Sequence, residues 1–105
     1  MNRDGLPEFL LLDSVLTVSG RITSANVPLL KDYLTDFTLT PYTALMLDFS
    51  YCTVFSTGGI PCLLEFIGKA KTKKMNLSIK MGSALRKACT IASVIPAIKR
   101  LDPDA

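Results

Sequence analysis

Between Leu45 and Ile60 the chain reads LMLDFSYCTVFSTGGI: an apolar run holding one acid, a short polar break, then Ser56-Thr57-Gly58-Gly59 opening an apolar-periodic segment. The run Ala44 to Phe49 has the composition of a strand buried on both faces, which belongs at the centre of a sheet. From Gly59 onward Ile60, Leu63, Leu64 and Ile67 fall at helical spacing, Pro61 is tolerated in a first turn, and Lys69 to Lys74 close the helix. The sheet interior therefore hands over directly to a helix that starts with hydroxyls and glycines. At such a start, unpaired backbone N–H groups and the positive dipole end favour an anion or a phosphorylated side chain, so Thr57 is a candidate switch residue. The adjacent Gly58 and Gly59 predict close backbone approach or positive φ. They do not form a nucleotide-cradling loop, because the GxxxxGK[ST] spacing and its lysine are absent. Asp48, an acid inside an apolar strand, must find donors; a structural role is expected, bonding backbone N–H groups of the loop that leads to Thr57.

The flanking segments complete an α/β pattern. Phe9 to Leu12 and Val15 to Gly20 are β-prone runs around the turn-forming pair Asp13-Ser14, which predicts an opening hairpin ended by Gly20. Thr23 or Ser24 can cap a following helix with Pro28 in its first turn; Val27, Leu30, Leu34 and Phe37 share one helical face, and Lys31, Asp32 and Asp36 the other. Thr38 to Tyr42, with Pro41, is a loop. Leu77 and Ile79 alternate with Ser78 and Lys80 as a strand, and Gly82 turns the chain. Ser83 can cap a last helix presenting Leu85, Ala88, Cys89 and Ala92, which Pro96 ends or follows with a short final piece. The expected order is ββαβαβα, a mixed sheet of four to five strands packed against helices, in a single domain over 1–105 with frayed ends at 1–7 and 102–105.

Composition removes several classes of function. The 105 residues are 49% apolar and 20% charged, on the globular side and too hydrophobic for disorder. No apolar stretch approaches the roughly 20 residues that span a bilayer, and nothing near Met1 resembles an export signal, so a cytoplasmic protein without membrane insertion is expected. Cys52, Cys62 and Cys89 have no C-x-x-C spacing, and the chain contains no histidine. No metal site, cofactor or disulfide is expected, and the cysteines read as small buried apolar residues. Without histidine, Ser-His-Asp and Cys-His chemistries cannot be assembled, so no catalytic residues and no enzyme activity are expected. The formal charge of +3 is uneven: residues 1–52 hold three basic and six acidic groups, residues 53–105 nine and three. Lys69, Lys71, Lys73 and Lys74 complement a helix C-terminus, and without interleaved aromatic or arginine groups they do not make a nucleic-acid surface.

Three segments together resemble the STAS family, the domain of bacterial anti-sigma factor antagonists. LTVSGRITSANVPLLKDYL from Leu16 is similar to its opening strand, glycine and first helix. LMLDFSYCTVFSTGGI is similar to its central strand and Asp-Ser-x-Gly helix start, and MNLSIKMGSALRKACTIASV from Met75 to its last strand and helix. The resemblance places Ser56 where the family has its aspartate, Thr57 at the phosphorylatable serine, Gly58 at the variable position and Gly59 at the glycine. It implies a non-enzymatic regulatory interaction domain. The resemblance further implies that a kinase-type anti-sigma factor phosphorylates Thr57, or Ser56 as runner-up, and that a phosphatase restores the hydroxyl. The partner surface it leads us to expect comprises Asp48, Ser56, Thr57, Gly58, Gly59 and Ile60. The alternative it allows, which the missing aspartate suits, is a constitutive accessory subunit of a lipid-trafficking ABC transporter. In either case phosphate would add about −1.5 to −2 charge and alter any surface docked there.

Overall fold

The computed structural model describes residues 6–92. Its elements run β1 (Glu8–Leu12), β2 (Val15–Ile22), α1 (Val27–Asp36), β3 (Ala44–Asp48), β4 (Cys52–Phe55), a 3-10 turn (Thr57–Gly59), α2 (Ile60–Thr72), β5 (Asn76–Lys80) and α3 (Gly82–Ala92). The sheet has five strands in the order β1-β2-β3-β5, with β4 paired to β2. β1 and β2 form the antiparallel hairpin, turned by Asp13 and Ser14, both at positive φ (51° and 67°), as a two-residue primed turn requires. The other pairings are parallel, and helices make the crossovers that parallel strands demand.

Burial alternates along the strands. Leu16 and Val18, Leu45 and Leu47, and Leu77 and Ile79 are buried, whereas their neighbours are half-buried or exposed. β3 is central, between β2 and β5, as its apolar run predicts, but Ala44, Met46 and Asp48 are not buried. The expectation of a strand buried on both faces is thus corrected: its acid already occupies the alternate row that stays out of the core. Onto the buried row pack Leu30 and Leu34 of α1, Ile60, Leu63, Phe66 and Ala70 of α2, and Leu85, Ala88 and Cys89 of α3, in one contiguous cluster. Each large apolar side chain so buried contributes about 1.5–3 kcal/mol.

Three local expectations change. β2 does not stop at Gly20 but continues to Ile22, with Gly20 at φ 92°. Beyond it the strand trades β3 for β4, and the register slips between Gly20 and Arg21, so that Thr53 of β4 is the extra residue of a bulge. The Thr53 hydroxyl donates to the Gly20 carbonyl at 3.2 Å. Second, β4 itself replaces the expected loop, which changes the order to ββαββαβα. Four residues at a polar break carry too little periodicity to reveal a strand; pairing with β2 makes it one. Third, α1 is entered at Asn26 rather than at Thr23 or Ser24. The Thr23 carbonyl accepts from the Asn26 and Val27 N–H groups, and the Asn26 side chain donates back to the Arg21 carbonyl at 2.8 Å. Ala92's side chain, Pro96 and the expected frayed end at 102–105 lie outside the described residues, as do positions 1–5 of the other end.

Candidate functional site

The site is built on the path from β3 to α2. β3 ends at Asp48, whose Oδ1 accepts from the Ser50 N–H at 2.9 Å and from the Ser50 hydroxyl. This local ring is the structural role expected of Asp48, and it commits both Asp48 and Ser50 to the β3–β4 turn. The Cys52 N–H closes the turn onto the Phe49 carbonyl, and two bonds tie it from outside: the Phe49 N–H donates to the Lys80 carbonyl and the Gly20 N–H to the Tyr51 carbonyl. Gly82 lies against it. A Cβ there would fall 2.7 Å from the Ser50 Cα and 2.9 Å from the Phe49 oxygen, and φ at Gly82 is +69°. Only glycine satisfies both the contact and the dihedral.

β4 carries the chain from this turn to the helix start. Its ladder with β2 is extended by the Ser56 N–H donating to the Ile22 carbonyl at 2.7 Å. Phe55 is buried, edge-on to Phe49 with ring centroids 5.5 Å apart. Ser56 is extended (φ −71°, ψ 141°) and its Oγ accepts from the Gly58 N–H at 3.3 Å, so Ser56 is the cap of the 3-10 turn. The Gly59 N–H donates to the Ser56 carbonyl and the Ile60 N–H to the Thr57 carbonyl. Gly59 sits directly on Phe55: a Cβ would lie 3.0 Å from the ring's Cε1 and 3.5 Å from Leu30.

Thr57 is exposed, and its hydroxyl has no hydrogen-bond partner among the described residues. Ser56 is half-buried and Gly58 exposed, whereas Gly59 and Ile60 are buried. The predicted contact surface is therefore corrected: Gly59 and Ile60 support the turn from beneath, and Asp48, half-buried, holds the preceding turn. The exposed part of the segment is Thr57-Gly58 with the edge of Ser56. The expected pool of free amides at this helix start is also reduced. The Gly58, Gly59 and Ile60 N–H groups are bonded within the turn, and Pro61 has none. An anion on Thr57 would be favoured by the dipole of α2, with the Gly58, Gly59 and Ile60 amides already committed within the turn.

The cysteines are free, with Cys52 and Cys89 buried and Cys62 half-buried. Burial pushes the thiols of Cys52 and Cys89 up, so both are held protonated. Among the described residues no three His, Cys, Asp or Glu side chains are grouped to hold a metal, and no helix is long and apolar enough to cross a membrane. Sequence reasoning missed Phe55 as the floor of the turn and Gly82 as its neighbour. Each depends on contacts between segments distant in the chain, although the sequence does mark Gly82 as a turn.

A mixed sheet of this order, with a capped hydroxyl turn between β4 and α2, defines a class of small α/β folds. Residues 6–98 match the STAS domain family, and the chain belongs to it. A crystal structure of an anti-sigma factor antagonist from Mycobacterium paratuberculosis superposes with a TM-score of 0.62 at 21% identity, covering 92% of this chain and 84% of that one. At that identity the likeness establishes the fold. No curated protein matches the chain.

Proposed function

We propose that this STAS domain is a non-enzymatic, cytoplasmic interaction module of the anti-sigma factor antagonist type, switched by reversible phosphorylation of Thr57. The observation that carries the reading is the division of labour at the turn. Ser56 supplies the capping oxygen, which leaves the exposed Thr57 hydroxyl without a structural role. A hydroxyl committed to a cap would have to be withdrawn before it could be modified, with a stability cost of about 1 kcal/mol. Thr57 carries no such cost. With the Gly58, Gly59 and Ile60 amides already bonded within the turn, phosphate added there has few backbone donors to fold back onto, and its charge acts on whatever docks. The partners are then a kinase-type anti-sigma factor, which docks on and modifies the exposed turn, and a phosphatase that restores it.

The test is phosphate mapping by mass spectrometry on the protein isolated from its native cell, with calorimetry of the co-purified partner against wild type, Thr57→Ala and Thr57→Asp. Phosphate on Thr57, with partner binding weakened at least about tenfold by Thr57→Asp and little by Thr57→Ala, is the expected result. Phosphate on Ser56 instead, or unmodified protein that co-purifies with an ATPase subunit and binds alike in all three forms, overturns it. The latter outcome would favour the transporter-subunit reading, for which the serine at position 56 in place of an acid is the supporting feature.

A further inference from the structure

β1 is an edge strand: it pairs with β2 on one side and with no strand on the other among the described residues. Edges of this kind are normally blunted by lysine, an internal proline, a bulge or a covering element. Glu8–Leu12 holds no lysine, internal proline or bulge, and its one charge is Glu8 at the strand start. It exposes Leu10 and Leu12 on one row (60% and 64%) and Leu11 on the other (49%). Along this edge runs a groove of about 640 Å³ between β1 and α1, with Phe9, Leu11, Leu29 and Tyr33 among its apolar lining and Asp32 and Asp36 among its polar lining. Phe9 and Tyr33 stack in its lining with ring centroids 4.4 Å apart. Both acids are exposed and make no ion pair among the described residues. No residue of the Thr57 turn lines the groove.

We propose that this groove docks an extended protein segment in which apolar residues alternate with lysine or arginine, added as a further strand beside β1. A strand placed about 4.8 Å from β1 satisfies the free edge amides and carbonyls and sends alternate side chains to opposite faces. One row packs beside Leu10 and Leu12. The other enters the groove, where lysine or arginine stems cover Leu29 and Tyr33 and their cationic ends meet Asp32 and Asp36. Charge selects this occupant. A second copy joined edge to edge through β1 in one continuous sheet would bring its own α1, with the same two acids, alongside, setting acid against acid. An anionic lipid surface would be repelled by the same pair.

The test is a titration of isotope-labelled full-length protein at low salt with an eight-residue peptide alternating lysine and valine, followed by amide chemical shifts, with the glutamate-valine peptide as control. Shifts concentrated in β1 and the Asp32 to Asp36 stretch with the lysine peptide alone are expected. Affinity should fall about tenfold or more in Asp32→Lys/Asp36→Lys and by less in Asp32→Asn/Asp36→Asn, with unchanged β5 amides showing that both variants are folded. No shifts, equal response to both peptides, or indifference to the substitutions overturns the proposal. So do β1 shifts that depend on protein concentration without peptide, which would assign the edge to a second copy.

Discussion

Neighbouring hydroxyls at the head of α2 do different work. Ser56 is extended, half-buried and capped onto Gly58, whereas Thr57, one residue on, is exposed and its hydroxyl unbonded among the described residues. Their removal should separate cleanly. Ser56→Ala is expected to cost about 0.5–1 kcal/mol, the lower part of the capping range, since its hydrogen bond is long at 3.3 Å. Thr57→Ala should stay within about 0.5 kcal/mol of wild type. Urea denaturation of the two variants checks this, and an equal loss for both would show that Thr57 carries structural weight. Gly59 contributes differently again, by letting the turn rest on the Phe55 ring, so a cap, an exposed hydroxyl and a packing glycine fit within four residues.

Between elements, the contact that fixes the site is the approach of α3 to the β3–β4 turn at Gly82. Gly82→Ala is expected to cost about 2–5 kcal/mol, from the positive φ together with a Cβ that overlaps Ser50 and Phe49 backbone atoms with no flexible side chain to give way. The loss should lower the thermal midpoint by roughly 4–8 °C per kcal/mol. Gly68, on α2 with open space around its Cα, is the matched control: Gly68→Ala should be neutral or stabilising. The β4 strand is the other tertiary device. By pairing with β2 beyond the register slip it carries Ser56 to the Ile22 carbonyl, and this places the head of α2 beside the sheet.

Across the whole molecule, the raised thiols of Cys52 and Cys89 make stability fall with alkalinity. In the unfolded chain each loses its proton near the ordinary value of 9.0, whereas the folded protein holds it to higher pH, so the folded state binds more protons in that window. The contribution is complete below about pH 9 and is lost as pH rises through the folded values. Urea midpoints from pH 7 upward should decline beginning near pH 9, less so in Cys52→Ala/Cys89→Ala measured against its own neutral value. In native protein a thiol reagent should label Cys62 first, the other two following only on opening. By itself the amino-acid order determined what is local: the Asp13-Ser14 hairpin, the apolar faces of α1, α2 and α3, the central place of β3, and the hydroxyl-glycine head of α2. Each rests on periodicity or turn chemistry carried by adjacent residues. The tertiary structure decided what joins distant segments: β4 as a strand, the bulge at Gly20, the burial of Gly59 and Ile60, and the choice of Ser56 as cap. Those outcomes depend on which strand supplies the missing hydrogen bonds and which ring fills the space beneath the turn, and no window of neighbouring residues contains that information.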